Sequence, residues 1–255
     1  MRISTTCRNR IIRVLAVAFW IAVWQGVSLA VGSEILVASP ARTFGALLSL
    51  LREGAFYRAV LGSLMRICAG FALALALGIA LGALSFVVGW VRALLHPVVS
   101  VVKATPVASF VILALIWISS KNLSIFISFL MVFPIMYENM LAGLESADAK
   151  LLEMGQVFHL SRMARIRAIY LPAAYPFLLS AARLSLGMCW KSGIAAEVIV
   201  TPLGFIGKEL NDAKITLMTA DMFAWTAVII LLSIVFEKIF GLIFLRIPIH
   251  QKGGK

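Results

Sequence analysis

The chain has 255 residues, of which 62% are apolar and only 13% charged, with a mean hydropathy of +1.02. That composition excludes an ordinary soluble domain, in which about a quarter of residues carry charge. A net charge of +12 and a pI near 10.2 would suit nucleic-acid binding. However, the Lys and Arg residues lie between and beside apolar runs and form no soluble basic face. The excess is therefore read as membrane topology, and no nucleic-acid partner is expected.

Taken in chain order, the first apolar run is Ile11–Val31. Its basic start and the small-residue end Ser28-Leu29-Ala30 imitate a secretory signal. The uninterrupted stretch from Val14 to Val31 exceeds the ~7–15 residues of a signal core, so it is read as a retained span. Gly32–Ala59 follows, with Phe44, Leu47, Leu48 and Leu51 at helical spacing, and predicts an amphipathic helix lying in the outer interface. Five more runs approach the ~20 apolar residues a span requires: Ile67–Gly89, Val98–Ile118, Leu123–Leu141, Leu171–Val200 and Met222–Leu245. The third span overall is interrupted by Pro106 and the fourth by Pro134, and the fifth carries Pro172 and Pro176 near its start. Neighbouring helices can satisfy the carbonyls such prolines release. The fold class is thus all-α, an integral membrane protein of about six transmembrane helices.

Basic residues orient the spans. With both termini cytosolic, 14 Lys and Arg residues fall inside and 6 outside, while Arg66, Arg183 and Lys191 remain within spans. The chain then divides into 1–59 (first span, 11–31, and outer segment), 60–245 (five spans and a cytosolic loop, 145–170) and a cytosolic tail, 246–255. The outer stretch Thr201–Asp221 is read as a short loop or re-entrant turn. Cys7, Cys68 and Cys189, and His96, His159 and His250, show neither disulfide nor metal-ligand spacing. No Asp or His lies in a span, and no Ser–His pair or paired acids are visible. A catalytic centre, a metal and a cofactor are therefore not expected.

One polar stretch stands out, "LLEMGQVFHLSRMARIRAIYLP" from Leu151 to Pro172. Helical spacing puts Leu151, Met154, Gly155 and Phe158 on one face and Lys150, Glu153 and Gln156 on another. Ser161 is positioned to cap a second short helix, Arg162–Tyr170, although Ala164 supplies no capping-box acid. Two short helices joined around His159–Ser161 make a compact cytosolic knob; the competing reading is a basic interfacial helix that only anchors the fold.

The loop resembles the signature loop of ABC-importer permeases: Glu-Ala-Ala, three residues, Gly, nine residues, Ile-x-Leu-Pro. Here the frame reads Glu153-Met154-Gly155, three residues, His159, nine residues, then Ile169-Tyr170-Leu171-Pro172. Met154 and Gly155 replace the alanines and His159 the glycine. Histidine is among the non-glycine residues that accept a positive φ, so the turn can still form. "FPIMYENMLAGLESAD" (Phe133–Asp148), "ARLSLGMCWKSGIAAE" (Ala182–Glu197), "SPARTF" and "SLMRICAGFALALALG" resemble the nitrate/sulfonate/taurine-type permeases. Similarity covers about Pro40 to Phe240. "LALIWISSKNLS" departs, lacking the glycines usual after its Trp.

The resemblance implies an ABC type I importer permease fold in the bacterial inner membrane. It implies a homodimer served by two cytosolic ABC ATPase subunits and an external substrate-binding protein, importing a small anionic solute in a nitrate, sulfonate or taurine class. The chain has no phosphate-binding loop of its own; "GFIGKEL" at Gly204 is too short. Leu151, Glu153, Gly155, Phe158, His159, Ser161, Leu171 and Pro172 are the candidate ATPase-coupling residues. Arg183, Lys191 and Glu197 are the candidate translocation-pathway residues, since charges in a span usually face a bundle interior or wet cavity. Arg183 and Glu197 match the family pattern, and helix pairing is their simpler explanation; Lys191 has no counterpart there. An ion-coupled secondary transporter or channel using these three as relay groups is the alternative, though the inverted repeat common in that class is not found.

Overall fold

The computed structural model of the chain describes residues 5–245, with side chains undescribed for 5–11, 13 and 243–245. The predicted tail, 246–255, and the side chains of Arg2, Arg8, Arg10 and Arg13 lie outside the described residues. Every regular element among the described residues is helical. In order these are α1 (Thr5–Val31), α2 (Pro40–Leu50), α3 (Gly54–Val87), α4 (Gly89–Ala104), α5 (Val107–Ala114) and α6 (Ser120–Glu145). They continue with α7 (Ala149–Val157), α8 (Arg162–Arg165), α9 (Leu171–Val200), α10 (Ile206–Ile215) and α11 (Thr219–Leu245). Ile166–Tyr170 is a π-helical turn joining α8 to α9.

Helix α6 is the centre of the bundle, packed between α3 and α9. Its buried residues, among them Ile127, Val132, Met136 and Tyr137, face both neighbours. Small residues set the spacing. A Cβ on Gly78 would lie 2.6 Å from the Met136 Cβ, and one on Gly82 would lie 2.8 Å from the Met140 Cβ. The Gly-x-x-x-Gly of the second span therefore packs within the subunit, where close backbone approach replaces the hydrophobic drive that lipid does not supply. Trp190, 1% exposed, fills the core behind α6 and donates from Nε1 to the Ile229 carbonyl at 2.9 Å.

Three predicted spans change shape. Helix α3 has 34 residues, about 51 Å at 1.5 Å per residue, and starts 13 residues before the expected Ile67. The run Val98–Ile118 is not one rod: α4 and α5 meet at a 107° bend. Thr105 is extended, at φ −85 and ψ 132, because the ring of Pro106 disfavours the helical region for the preceding residue. The fifth predicted span coincides with α9, but the polar helix before it is continuous with it through the π turn. Pro172 has no N–H and its ring crowds the carbonyl four residues back. The N–H of Leu171 accordingly bonds back to Ile166, the i→i−5 pattern of a π turn.

At the end opposite the polar loop, the predicted amphipathic helix is α2. Ser39 Oγ accepts from the Arg42 N–H at 3.3 Å, and Pro40 occupies the first turn, where no N–H is needed. Ala46, Leu47 and Leu50 pack into the core against α11, while Phe44, Leu48 and Leu51 stay exposed. Helix α1 attaches at this end, where Trp24 Nε1 donates to the Ala38 carbonyl and its ring stacks on Phe223.

Candidate functional site

The polar loop folds as a capped helix, a left-handed turn and a second capped helix. Asp148 Oδ1 accepts from the Lys150 N–H at 2.8 Å and starts α7. Helix α7 ends at Val157 with Phe158 as its cap, and His159 follows with φ +50. The Leu160 N–H bonds to the Gly155 carbonyl at 2.9 Å and the His159 N–H to the Gln156 carbonyl at 3.0 Å. This pair is a Schellman motif with histidine in the position that usually holds glycine. Ser161 Oγ then accepts from the Ala164 N–H at 3.2 Å and caps α8.

The predicted coupling residues separate into two groups. Leu151, Glu153, Phe158, His159 and Ser161 are exposed on the knob. Met154 and Val157 extend its apolar surface; Val157 is 75% and Phe158 71% exposed. Gly155 is on the other side, buried against Ile169 and Leu160. Pro172 and Leu171 stand beyond the π turn, where Pro172 shapes the entry to α9. Val157 was missed because the helix wheel places it beside the predicted stripe and not on it.

The three charged residues of α9 are not brought together. Arg183 and Lys191 lie on its open face, interleaved with exposed Leu184, Met188, Ala195 and Ile199. Neither makes an ion pair among the described residues. Glu138 binds Lys103 at 2.8 Å across α4 and α6. Glu197 points the opposite way and is 1% exposed. Its Oε2 accepts from Ser63 Oγ at 2.6 Å and from the Gly207 N–H at 3.4 Å, while Ser63 Oγ accepts from the Ile206 N–H at 3.0 Å. Glu197 and Ser63 together satisfy the first free donors of α10. A Cβ on Gly207 would lie 2.3 Å from the Glu197 Cβ, so glycine is required for this close approach. Glu197 thus bolts α10 to α3 and α9.

Arg66 completes the clamp at this end of the bundle. It donates to the Lys121 carbonyl and to Asn122 Oδ1, and its guanidinium lies 4.6 Å from the Phe205 ring centroid. Glu209 on α10 has its carboxyl pushed above the ordinary range, first by burial and then by the charges of Asp212 and Glu53, against the lowering effect of Lys208.

Comparison with known proteins agrees with this architecture. Residues 74–247 match the family described as binding-protein-dependent transport system inner membrane component. The putative aliphatic sulfonates transport permease protein SsuC of Bacillus subtilis (strain 168) is 28% identical over 207 residues, covering 80% of this chain and 74% of that protein. The taurine transport system permease protein TauC of Escherichia coli (strain K12) is 27% identical over 220 residues, 84% of this chain and 80% of that one. The nitrate import permease protein NrtB of Leptolyngbya laminosa is 26% identical, covering 78% and 72%. The crystal structure of a bacterial ABC transporter involved in the import of the acidic polysaccharide alginate superposes with a TM-score of 0.63 at 15% identity, covering 94% of this chain and 96% of that one. The match spans more than two thirds of the sequence, and the chain belongs to the binding-protein-dependent transport system inner membrane component family, as a multi-span permease subunit of an ATP-driven importer of the bacterial inner membrane.

Proposed function

We propose that this permease, as a homodimer, passes a small organic or inorganic anion of the sulfonate, taurine or nitrate kind, received from an external binding protein. The observation that carries the reading is the open face of α9, where Arg183 and Lys191 stand without a carboxylate partner among the described residues. A cation held in a partly desolvated path attracts an anion far more strongly than it does in bulk water. The relatives named for sulfonates, taurine and nitrate support the same class.

In this reading both termini and the polar loop face the cytosol, and two ATPase subunits seat the α7 knob. Leu151, Met154, Val157 and Phe158 supply the apolar contact, and Glu153 fixes the register. Since α8, the π turn and α9 form one continuous path, closure of the ATPases tilts α9 and with it the face bearing Arg183 and Lys191. That is rigid-body coupling between sites.

The test is uptake into vesicles holding the permease with a partner ATPase and an external binding protein. ATP-dependent accumulation of taurine, an alkanesulfonate or nitrate is the expected result. Accumulation driven by an ion gradient in ATP-depleted vesicles would overturn the proposal, as would ATP-dependent uptake confined to solutes that carry no sulfonate, nitrate or other acidic group.

A further inference from the structure

At the loop end of the bundle a groove of about 380 Å³ opens between the ends of α3 and α6 and the π turn. Phe86 and Val87 come from α3, Leu144 from α6, Tyr170 from the π turn and Leu171 from the start of α9. Phe86 and Tyr170 meet edge to face, with centroids 5.4 Å apart. No residue of the α7 knob lines the groove. At its rim stand Arg162 and Arg165, one helical turn apart and so on one face. Arg165 donates from Nε to the Leu160 carbonyl at 3.2 Å. Neither arginine forms an ion pair among the described residues.

An apolar trough with unpaired guanidinium groups at one end is complementary to an amphiphile, a hydrocarbon chain carrying an anionic head. Guanidinium pairs with phosphate in bidentate fashion, and basic pockets between helices at the cytosolic face suit acidic headgroups. We propose that this groove holds one anionic phospholipid of the inner leaflet, its acyl chain along Phe86, Leu144 and Leu171 and its phosphate between Arg162 and Arg165. The assignment rests on the cytosolic orientation of the loop given above. A lipid seated there packs directly on the π turn through which the knob is joined to α9, so headgroup composition would set how stiffly that joint transmits motion.

Native mass spectrometry of the purified full chain, titrated with phosphatidylglycerol and with phosphatidylcholine of the same acyl chains, tests the site. One phosphatidylglycerol per chain should bind about thirtyfold more tightly than phosphatidylcholine, the attraction of two basic residues for an acidic headgroup. Arg162→Gln with Arg165→Gln should abolish that preference, and the corresponding double change to Lys should keep most of it. Ala83→Trp, which fills the groove and leaves both arginines, should weaken both lipids. Glycerol phosphate in excess should not displace the bound lipid. Equal affinity for the two lipids overturns the proposal, as does a preference that survives the glutamine pair or is lost equally in the lysine pair. Binding undiminished by Ala83→Trp, or displacement by glycerol phosphate, overturns it too. No transport is measured, so a failure here is separate from a failure of the anion-import reading.

Discussion

Lys191 is the residue on which solute choice turns. Exposed on α9 and without an ion-pair partner among the described residues, it contributes attraction for an anion only while charged. Lys191→Met keeps an unbranched side chain, one atom shorter, and removes the charge. Uptake of the preferred anion should fall about tenfold, the rate equivalent of ~1.4 kcal/mol, while insertion and basal ATP hydrolysis persist. Unchanged uptake and unchanged preference among anions would remove Lys191 from the path. Ser63 sits at the opposite extreme of burial, at 0% exposed. Ser63→Ala leaves the Ile206 N–H and Glu197 Oε2 short of a partner. It should cost about 1–3 kcal/mol, read as a lower melting temperature of the purified permease. Glu209 adds a pH signature. Its raised carboxyl means that the folded state binds the proton more tightly than the unfolded chain does. The resulting penalty is complete above the raised value, relieved as pH falls through it, and gone below the ordinary carboxylate value. Glu209→Gln should therefore melt above the parent protein at neutral pH, and the gap should close on acidification. A gap that is constant with pH would assign the effect to shape and not to charge.

At the scale of the element, the coupling loop yields predictions about its backbone and its exposed face. Gly155→Ala should stabilise α7 by up to about 1 kcal/mol, the usual helix-interior difference. The added Cβ would meet Ile169 and Leu160 at 3.4 Å, ordinary contact. His159→Gly should likewise be tolerated, because φ +50 costs a side chain about 1–2 kcal/mol that glycine does not incur. Melting temperature and ATP-driven uptake measured together check both; complete loss of uptake in His159→Gly would mean that the imidazole itself touches the ATPase. Glu153→Lys, on the exposed face of the same helix, should uncouple ATP hydrolysis from transport while leaving the fold intact. Much of this loop was legible in advance. Ser161 as a cap and His159 at a turn follow from local chemistry, and the structure has both. The π turn was not foreseen, because Pro172 can end a helix, kink it or widen it, and only packing around Tyr170 selects one outcome.

For the whole molecule the first requirement is orientation. Cysteine placed at Lys121 should react with an impermeant label from outside, and cysteine at Lys150 only after permeabilisation; both positions are exposed. The reverse at either site would overturn the sidedness assigned to the loop. The long α3 and the bent pair α4–α5 show why span counting alone is coarse. Hydropathy marks which residues lipid or core can accept, and is silent on where a helix continues beyond the apolar run. It does mark the prolines, and Pro106 did interrupt its span, yet the 107° angle between α4 and α5 depends on how each packs against α6 and α9.

By itself the sequence determined that this is a helical membrane protein with a polar knob before its fifth span. Apolar run length, helix caps and the Glu153-to-Pro172 spacing are local properties, written residue by residue. Only the tertiary structure decided which charges are used for what. Arg183, Lys191 and Glu197 share one helix and one apolar stretch. Yet the turn that exposes the first two carries Glu197 into contact with Ser63 and the start of α10. Their separation around the helix was calculable in advance. Which side of that helix would meet α3, α6 and α10 was not, because burial is decided by neighbours distant in sequence.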